Sequence, residues 1–556
     1  NVISTSFTPD VGANDVSTNP VISNDGSRIA FVSTASNLVA DGVDNNGTQD
    51  IFLWDSAGTT ANKTRLISFN SAGINSGNRS FDPFAASGSL NPVISGDGKY
   101  VAFVSYSTDL VTATDGNNKQ DVFVREVDAS TTSLVSGNTA GAFGNDVSSD
   151  PSISRDGKRI SFASSATNLV AGDTNGKRDV FVRDLSASIT SLVSRSATAI
   201  GNNDSPSNDP ANLALFTSVM SADGAFVAFT SQASNLVDRD GNGAGDVFIA
   251  QLSNGVVSLV SRQSADPALV SKTGSEDSRL TTSNSVSADG RYVVYTSKAP
   301  ELAANDLNGA EDVFIRDNQT KTVTLISRNP ARASGNGNSF NPVISRDGEF
   351  VVFVSNASDL VSGDANGASD LFVWERSQPN ILTLISKVNA GTTSGDRASI
   401  NPIISGNGQY VVFTSLATNL VDGDGNAKQD VFVWERSTKT TKLVSHANGN
   451  TNSSNGTSEN AAISDDGRLI TFTSDGTNLV TGATTGKQIF LWNRQTSGIS
   501  LVSQNSAGAI ANADSGSAVI SGDGLYIAFT SNATNLFGTD NNAAQDVFIR
   551  DLAKNT

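Results

Sequence analysis

The feature that most constrains this chain is that it repeats itself. A short apolar segment ends in Ser, two residues follow, and then Gly. Examples are Pro92-Val93-Ile94-Ser95-Gly96-Asp97-Gly98, Pro342-Val343-Ile344-Ser345-Arg346-Asp347-Gly348 and Ala518-Val519-Ile520-Ser521-Gly522-Asp523-Gly524. The serine falls at Ser23, Ser95, Ser154, Ser221, Ser287, Ser345, Ser405, Ser464 and Ser521. That is a period of about 62 residues, which belongs to propeller blades or a solenoid and not to a string of unrelated domains. Each unit reads as four strands. Pro-Val-Ile-Ser is the first, and Asp-Gly turns the chain because Gly accepts positive φ. Tyr100-Val101-Ala102-Phe103-Val104 is the second, Asp121-Val122-Phe123-Val124 the third and Leu134-Val135-Ser136 the fourth, rich in β-branched and aromatic residues. No 3.6-residue apolar period runs over ten or more residues, so helices should be nearly absent.

A four-stranded meander has two sticky faces and open edges. Radial stacking buries the faces and protects the edges. The fourth-strand pattern occurs at Leu66, Leu134, Leu192, Leu259, Leu325, Leu384, Leu443 and Leu501, eight times for nine units. The ninth unit stops at Asp546-Val547-Phe548-Ile549-Arg550-Asp551, and the missing piece stands at the other end, where Val2-Ile3-Ser4 matches Leu134-Val135-Ser136. The expected fold is therefore all-β: one nine-bladed propeller over residues 1–556, with residues 1–5 supplying the outer strand of the ninth blade. In the rival arrangement that strand completes a neighbouring molecule and chains polymerise by exchange.

These units resemble the TolB-type, WD-like β-propeller repeats of bacterial extracytoplasmic proteins. The resemblance lies in the Pro-Val-Ile-Ser-x-Asp-Gly-x-x-(Val/Ile)-Ala-Phe core and the Asp-Val-Phe-Val-(Arg/Trp) strand, and covers essentially the whole chain. It implies a propeller and leaves activity open, because such proteins include binding scaffolds and polysaccharide-cleaving enzymes.

Strands two and three are joined by an acidic loop, Asp-x-Asn-Gly-x-x-Asp. It places Asp44, Asn46 and Asp50 in the first unit, Asp173, Asn175 and Asp179 in the third, Asp306, Asn308 and Asp312 in the fifth, and Asp364, Asn366 and Asp370 in the sixth. The second unit has Asp115, Asn117 and Asp121 with Asn118 in place of Gly, and the ninth has Asp540, Asn542 and Asp546 with Ala543 there. Two loops carry one more acid: Asp238, Asp240, Asn242 and Asp246, and Asp422, Asp424, Asn426 and Asp430. These two resemble the calcium loops of dockerin and thrombospondin-type repeats. Calcium takes six to eight oxygens from carboxylates, amides and main chain, and alternate oxygen side chains on a Gly turn can converge on one ion. The competing reading is that Asp and Asn before Gly merely cap their own turn. The eighth loop, Ala483-Thr484-Thr485-Gly486-Lys487-Gln488, loses all three oxygen positions together, which favours a single joint purpose. Ca2+ is thus the expected cofactor, with a structural role.

The balance of 37 basic and 55 acidic residues, a net charge of −18, repels nucleic-acid phosphates and anionic lipid. No apolar run is long enough to span a bilayer, so neither nucleic-acid binding nor membrane insertion is expected. Cysteine is absent, which removes disulfides and thiolate chemistry, and a lone His446 leaves no Ser–His–Asp triad. His446 is expected to be a solvent-exposed loop residue. The chain opens on Asn1 without a charged-then-apolar leader, which we read as a secreted or cell-surface chain whose signal peptide has been removed. Trp54, Trp374, Trp434 and Trp492 all follow the third strand, where packing between blades is expected over sugar stacking. Acidic loops and inter-unit connections should share one face. Three long connections carry Phe81, Phe84, Leu213, Leu215 and Phe216, apolar residues without a blade position. The expected role is a binding or scaffold module for an envelope polysaccharide or surface protein. The enzymatic alternative, a polysaccharide lyase or glycoside hydrolase, needs a non-repeated acid–base cluster near the channel mouth.

Overall fold

The computed structural model describes residues 3–4, 12–40, 42–58, 63–78, 88–205, 218–238, 240, 242–263, 274–389, 391–482, 485–538, 540 and 542–554. Their strands form nine antiparallel sheets, each a meander in which neighbours in sequence are neighbours in space. The second blade is typical, with strands Ser89–Ile94, Tyr100–Ser105, Asp121–Glu126 and Thr131–Leu134. Its two middle strands are almost wholly buried, because adjacent blades cover both of their faces. The first strand is mostly half-buried and its end lines the channel, and the fourth shows alternate residues to solvent. Only one short helical turn occurs among the described residues, at Pro300–Leu302.

The repeat signature has a direct local cause. In the hairpin after the first strand, Ser95 Oγ donates to Asp97 Oδ1 (2.7 Å), Asp97 Oδ1 accepts from Lys99 N (3.1 Å), and Tyr100 N donates to Ser95 Oγ (3.0 Å). Ser, Asp and Gly are thus three parts of one knot, with Gly98 at φ 69°. Close packing adds a second demand on this glycine. At Gly157, a Cβ would stand 2.2 Å from Tyr100 Cδ2 of the preceding blade. The Asn-Pro of the first strand is a β-bulge. Register shifts between Leu90 and Val93, and Asn91 takes φ 49°. Asparagine tolerates the left-handed region and proline has no amide to waste at a bulge. The same bulge recurs at Asn19, Asn341, Asn401 and Asn460.

Each blade carries one stacked aromatic pair across strands two and three, from Phe31–Phe52 to Phe529–Phe548, with ring centres 5.5–6.0 Å apart. Apolar clusters run between blades and continue across the last seam, where Ile29 and Phe31 pack with Ala528, Val547 and Ile549. Ile3 is fully buried in that cluster. Ile3 N and Ser4 N donate to Val547 O (3.1 and 3.3 Å), as Val135 N and Ser136 N donate to Val122 O (2.8 and 3.2 Å) in the second blade. Ile3 and Ser4 therefore occupy the fourth-strand place of the ninth blade, and the ring closes. Val2 lies outside the described residues.

A belt of main-chain bonds links the hairpins where the blades meet at the channel. Asn24 N donates to Gly96 O, Gly96 N to Arg155 O, Arg155 N to Ala222 O, Asp223 N to Ala288 O and Ala288 N to Arg346 O. After blade seven, Asn407 N donates to Asp465 O, Asp465 N to Gly522 O and Asp523 N to Asn24 O, all within 2.8–3.2 Å. The belt returns to its start. Its one gap, among the described residues, is between blades six and seven.

Candidate functional site

The acidic loops sit between the second and third strands of their blades, beside the connections that lead to the next blade. Asparagine holds the two together. Asn46 Nδ2 donates to Gly77 O (2.8 Å), and the same bond joins Asn175 to Gly201, Asn242 to Gly274, Asn308 to Gly335, Asn366 to Gly395 and Asn426 to Ser454. Asn117 reaches Gly144 O, and Asn542 reaches Ala13 O across the seam. Loops and connections do share one face. The asparagine oxygen meanwhile accepts a main-chain amide two residues on, as in Thr48 N to Asn46 Oδ1 (2.8 Å). The fourth loop position is left-handed throughout, at Gly47, Gly176, Gly243, Gly309 and Gly367 and equally at Asn118, Ala427 and Ala543.

The closing aspartate of each loop is buried at the base of strand three. It accepts from the serine two residues beyond the fourth strand: Ser68 to Asp50, Ser136 to Asp121, Ser194 to Asp179, Ser261 to Asp246, Ser327 to Asp312, Ser386 to Asp370 and Ser445 to Asp430, with Oγ–Oδ1 distances of 2.5–2.7 Å. In the ninth blade Ser4 supplies this donor to Asp546 (2.8 Å). Burial pushes these carboxyls up, Asp50 well above the ordinary range, Asp121, Asp246 and Asp546 to about 8, and Asp179, Asp312, Asp370 and Asp430 to about 7. The first aspartate of the same loop adds to the rise by repulsion, and the serine hydroxyl opposes it.

The first aspartates divide into two groups. Asp44, Asp173, Asp240, Asp306, Asp364 and Asp424 are buried, each with 8% or less of its surface exposed. Neither carboxylate oxygen of Asp306, Asp364 or Asp424 receives a hydrogen bond of ordinary geometry, nor does Asp44 Oδ2 or Asp173 Oδ1. Burial raises Asp173, Asp306 and Asp364, and takes Asp44 and Asp424 to about 6. Hydroxyls of Ser76, Ser334, Ser394 and Ser453 lie alongside and temper the rise. These serines come from the connections. Their one signal in the sequence is a Ser-Gly or Ser-Ser pair at the same place in each connection, and sequence reasoning missed it. Asp115 and Asp540 form the second group. Both are half-buried, and both cap the main chain, Asp115 Oδ1 accepting from Asn117 N (2.9 Å) and Asp540 Oδ1 from Asn542 N (3.3 Å). The additional acids Asp238 and Asp422 stand exposed at the surface, two residues before their buried partners.

Blade eight supplies an internal control. Gln488 takes the place of the closing aspartate. Its Oε1 accepts from Ser503 Oγ (2.6 Å), and its Nε2 donates to Thr485 O, Ala511 O and Ala513 O (2.8–3.3 Å). One neutral amide fastens the loop without the acid pair. Ala483 and Thr484 lie outside the described residues.

Trp54, Trp374, Trp434 and Trp492 are buried in clusters at the blade interfaces, as packing requires. His446 differs from expectation. It is half-buried, with Nδ1 3.0 Å from Ala447 O and Nε2 3.0 Å from Ser497 O, so the ring is clamped between two loops. Phe81, Phe84, Leu213, Leu215 and Phe216 lie outside the described residues.

No known family model matches the sequence. The curated proteins contain no match either. Solved structures do. A structure of prolyl endopeptidase aligns at 13% identity and TM-score 0.39, over 86% of this chain and 56% of that one. This chain thus spans little more than half of that protein's length. Oligogalacturonate lyase in complex with manganese aligns at 12% identity and TM-score 0.34, over 71% and 86% of the two chains. A TolB protein from Agrobacterium tumefaciens aligns at 15% identity and TM-score 0.28, over 54% and 80%. Similarity at this level concerns fold, and the fold of this chain is a nine-bladed β-propeller.

Proposed function

We propose that this protein is a calcium-binding β-propeller that acts outside the cell as a scaffold for an envelope polysaccharide or a surface protein. The observation that carries the metal reading is the pair of buried acids in six loops, Asp44 with Asp50, Asp173 with Asp179, Asp240 with Asp246, Asp306 with Asp312, Asp364 with Asp370 and Asp424 with Asp430. Each pair repels within itself. Oxygens of Asp306, Asp364 and Asp424 are shut from water and receive no hydrogen bond of ordinary geometry, although a serine hydroxyl lies beside each, a costly state for a carboxylate and an ordinary one for a cation ligand. The two aspartates of each loop would hold the ion, with the connection serine nearby and the asparagine serving as a brace. A divalent cation would supply charge neutralisation there. The Gln488 loop, with no acid pair, is the counterpart that needs no ion.

The scaffold reading draws on the same face. Six metal loops would stiffen the rim from which the long connections emerge, and rigid rings with variable loops are common binding platforms. Calorimetric melting in calcium and in chelator tests the metal. At a calcium concentration a hundredfold above Kd each occupied site adds about 2.7 kcal/mol, so a rise of several degrees is expected. Asp306→Asn with Asp364→Asn should shrink it. Equal melting in both conditions refutes the reading. A panel of envelope polysaccharides screened with calcium present should show capture; none captured would leave the scaffold role without support.

A further inference from the structure

One register of the repeat departs from its own logic. The residue after each hairpin serine is Asn24, Gly96, Arg155, Ala222, Ala288, Arg346, Gly406, Asp465 and Gly522. Seven are neutral and short or charged and short; only Arg155 and Arg346 are long. Both lie across the hairpin end of the central channel. With its amide oxygen turned toward the guanidinium, Asn24 accepts from Arg155 Nη2 (2.7 Å) and Nε (3.1 Å), a bond from blade three to blade one. Arg346 Nη1 donates to Asp465 Oδ2 (2.7 Å), from blade six to blade eight. Each passes over a glycine that leaves room for it. A Cβ on Gly96 would stand 2.6 Å from Arg155 Cγ, and one on Gly406 would stand 2.5 Å from Asp465 Oδ1.

Above this lattice is a cavity of about 350 Å³, at the small end of the roughly 300–1,000 Å³ range of ligand pockets. Arg155, Arg346 and Asp465 are the charged residues that line it. Arg346 is matched by Asp465. Arg155 has a neutral amide as its partner and no ion pair with a carboxylate among the described residues. The cavity therefore carries one net positive charge in a protein whose net charge is −18. Blade five breaks the wall. Its first strand is only Ser278–Arg279, and the exposed Ser283 and Asn284 line the cavity beside Val286, which stands where most blades present isoleucine.

The geometry points to a binding site for a small hydroxy-monocarboxylate at the hairpin end of the channel, its carboxylate on Arg155 and its hydroxyls toward Ser283 and Asn284. A guanidinium offers a carboxylate two parallel donors. A dianion is disfavoured because Asp465 faces the same space. This inference is independent of the metal loops.

Titration calorimetry with D-gluconate, D-sorbitol and D-glucarate tests it. These share a polyol chain and differ in carrying one, no and two carboxylates. Gluconate is expected to bind; sorbitol should bind at least tenfold more weakly, and glucarate more weakly than gluconate. Arg155→Met should weaken gluconate at least tenfold. Asp465→Asn should tighten it severalfold, since Arg346 is then freed and the opposing charge removed; this variant keeps the test decisive if Arg155→Met fails to fold. No binding of gluconate, equal binding of sorbitol, or unchanged affinity in Asp465→Asn would overturn the proposal.

Discussion

Backbone dihedrals at single residues decide several side-chain identities in this molecule. The fourth position of every acidic loop is left-handed, and glycine fills it five times, whereas Ala427 and Ala543 sit there at φ 56° and 52°. An L-residue pays about 1–2 kcal/mol in that region. Ala543→Gly is therefore expected to stabilise the fold by about 1 kcal/mol, after allowance for the freer unfolded chain, as read from urea unfolding. The hairpin aspartates act through charge. For Asp97, burial works to raise the carboxyl, yet bonds from Ser95 and from the Lys99 main chain and side chain outweigh it and hold it below its usual 3.8. Asp25 and Asp466 behave alike. A carboxyl lowered in the folded state contributes stability that is complete above the unfolded value and is lost as pH falls through the folded one. Asp97→Asn should accordingly flatten the loss of stability as pH falls below the unfolded value of 3.8, measured by melting at stepped pH. An unchanged acid limb would contradict this assignment.

At the level of the strand, the ninth blade poses the sharpest test. Ser4 Oγ donates to Asp546 and accepts from Val547 N (3.0 Å), as Ser136 Oγ does with Asp121 and Val122 N. Removing a donor from a buried acid costs about 1–3 kcal/mol. Ser4→Ala and Ser136→Ala should thus cost alike in chemical denaturation, and a silent Ser4→Ala beside a costly Ser136→Ala would detach residues 3–4 from the ring. This element was legible because Val2-Ile3-Ser4 copies an eightfold pattern. So was the hairpin, whose Ser, Asp and Gly are all needed by one knot. The acidic loop was legible only in part. Spacing placed Asp306 and Asp312 in one loop, but could not show that Asn308 spends its oxygen on Ala310 N and its nitrogen on both Asp312 Oδ2 and Gly335 O. Nor could it show that the exposed Asp238 and Asp422 stand apart from the buried pairs. Those outcomes depend on the connection packed alongside, some 27 residues further on.

For the whole molecule, repetition is both the source of legibility and its limit. Nine equivalent sheets, their stacked aromatic pairs and their interfaces follow from a unit that must hide two faces. What repetition conceals is departure from itself. Arg155 and Arg346 look unremarkable in sequence because each follows the same serine as seven other residues; only closure of the ring brings them with Asn24 and Asp465 to one end of a channel. The four tryptophans show the opposite case, prominent in sequence and ordinary in the structure, as interface packing.

The main-chain belt has a mechanical corollary. Eight of its links join hairpins by an amide and a carbonyl, and the ninth interval, between blades six and seven, lies beneath the Arg346–Asp465 ion pair. Backbone links are indifferent to ionic strength, whereas that bridge is weakened by salt. The circle is thus a hoop with one ionic clasp, separate from the seam where residues 3–4 meet strand Asp546–Asp551. Brine would loosen the hoop at the clasp and leave the hydrogen-bonded, apolar seam largely untouched.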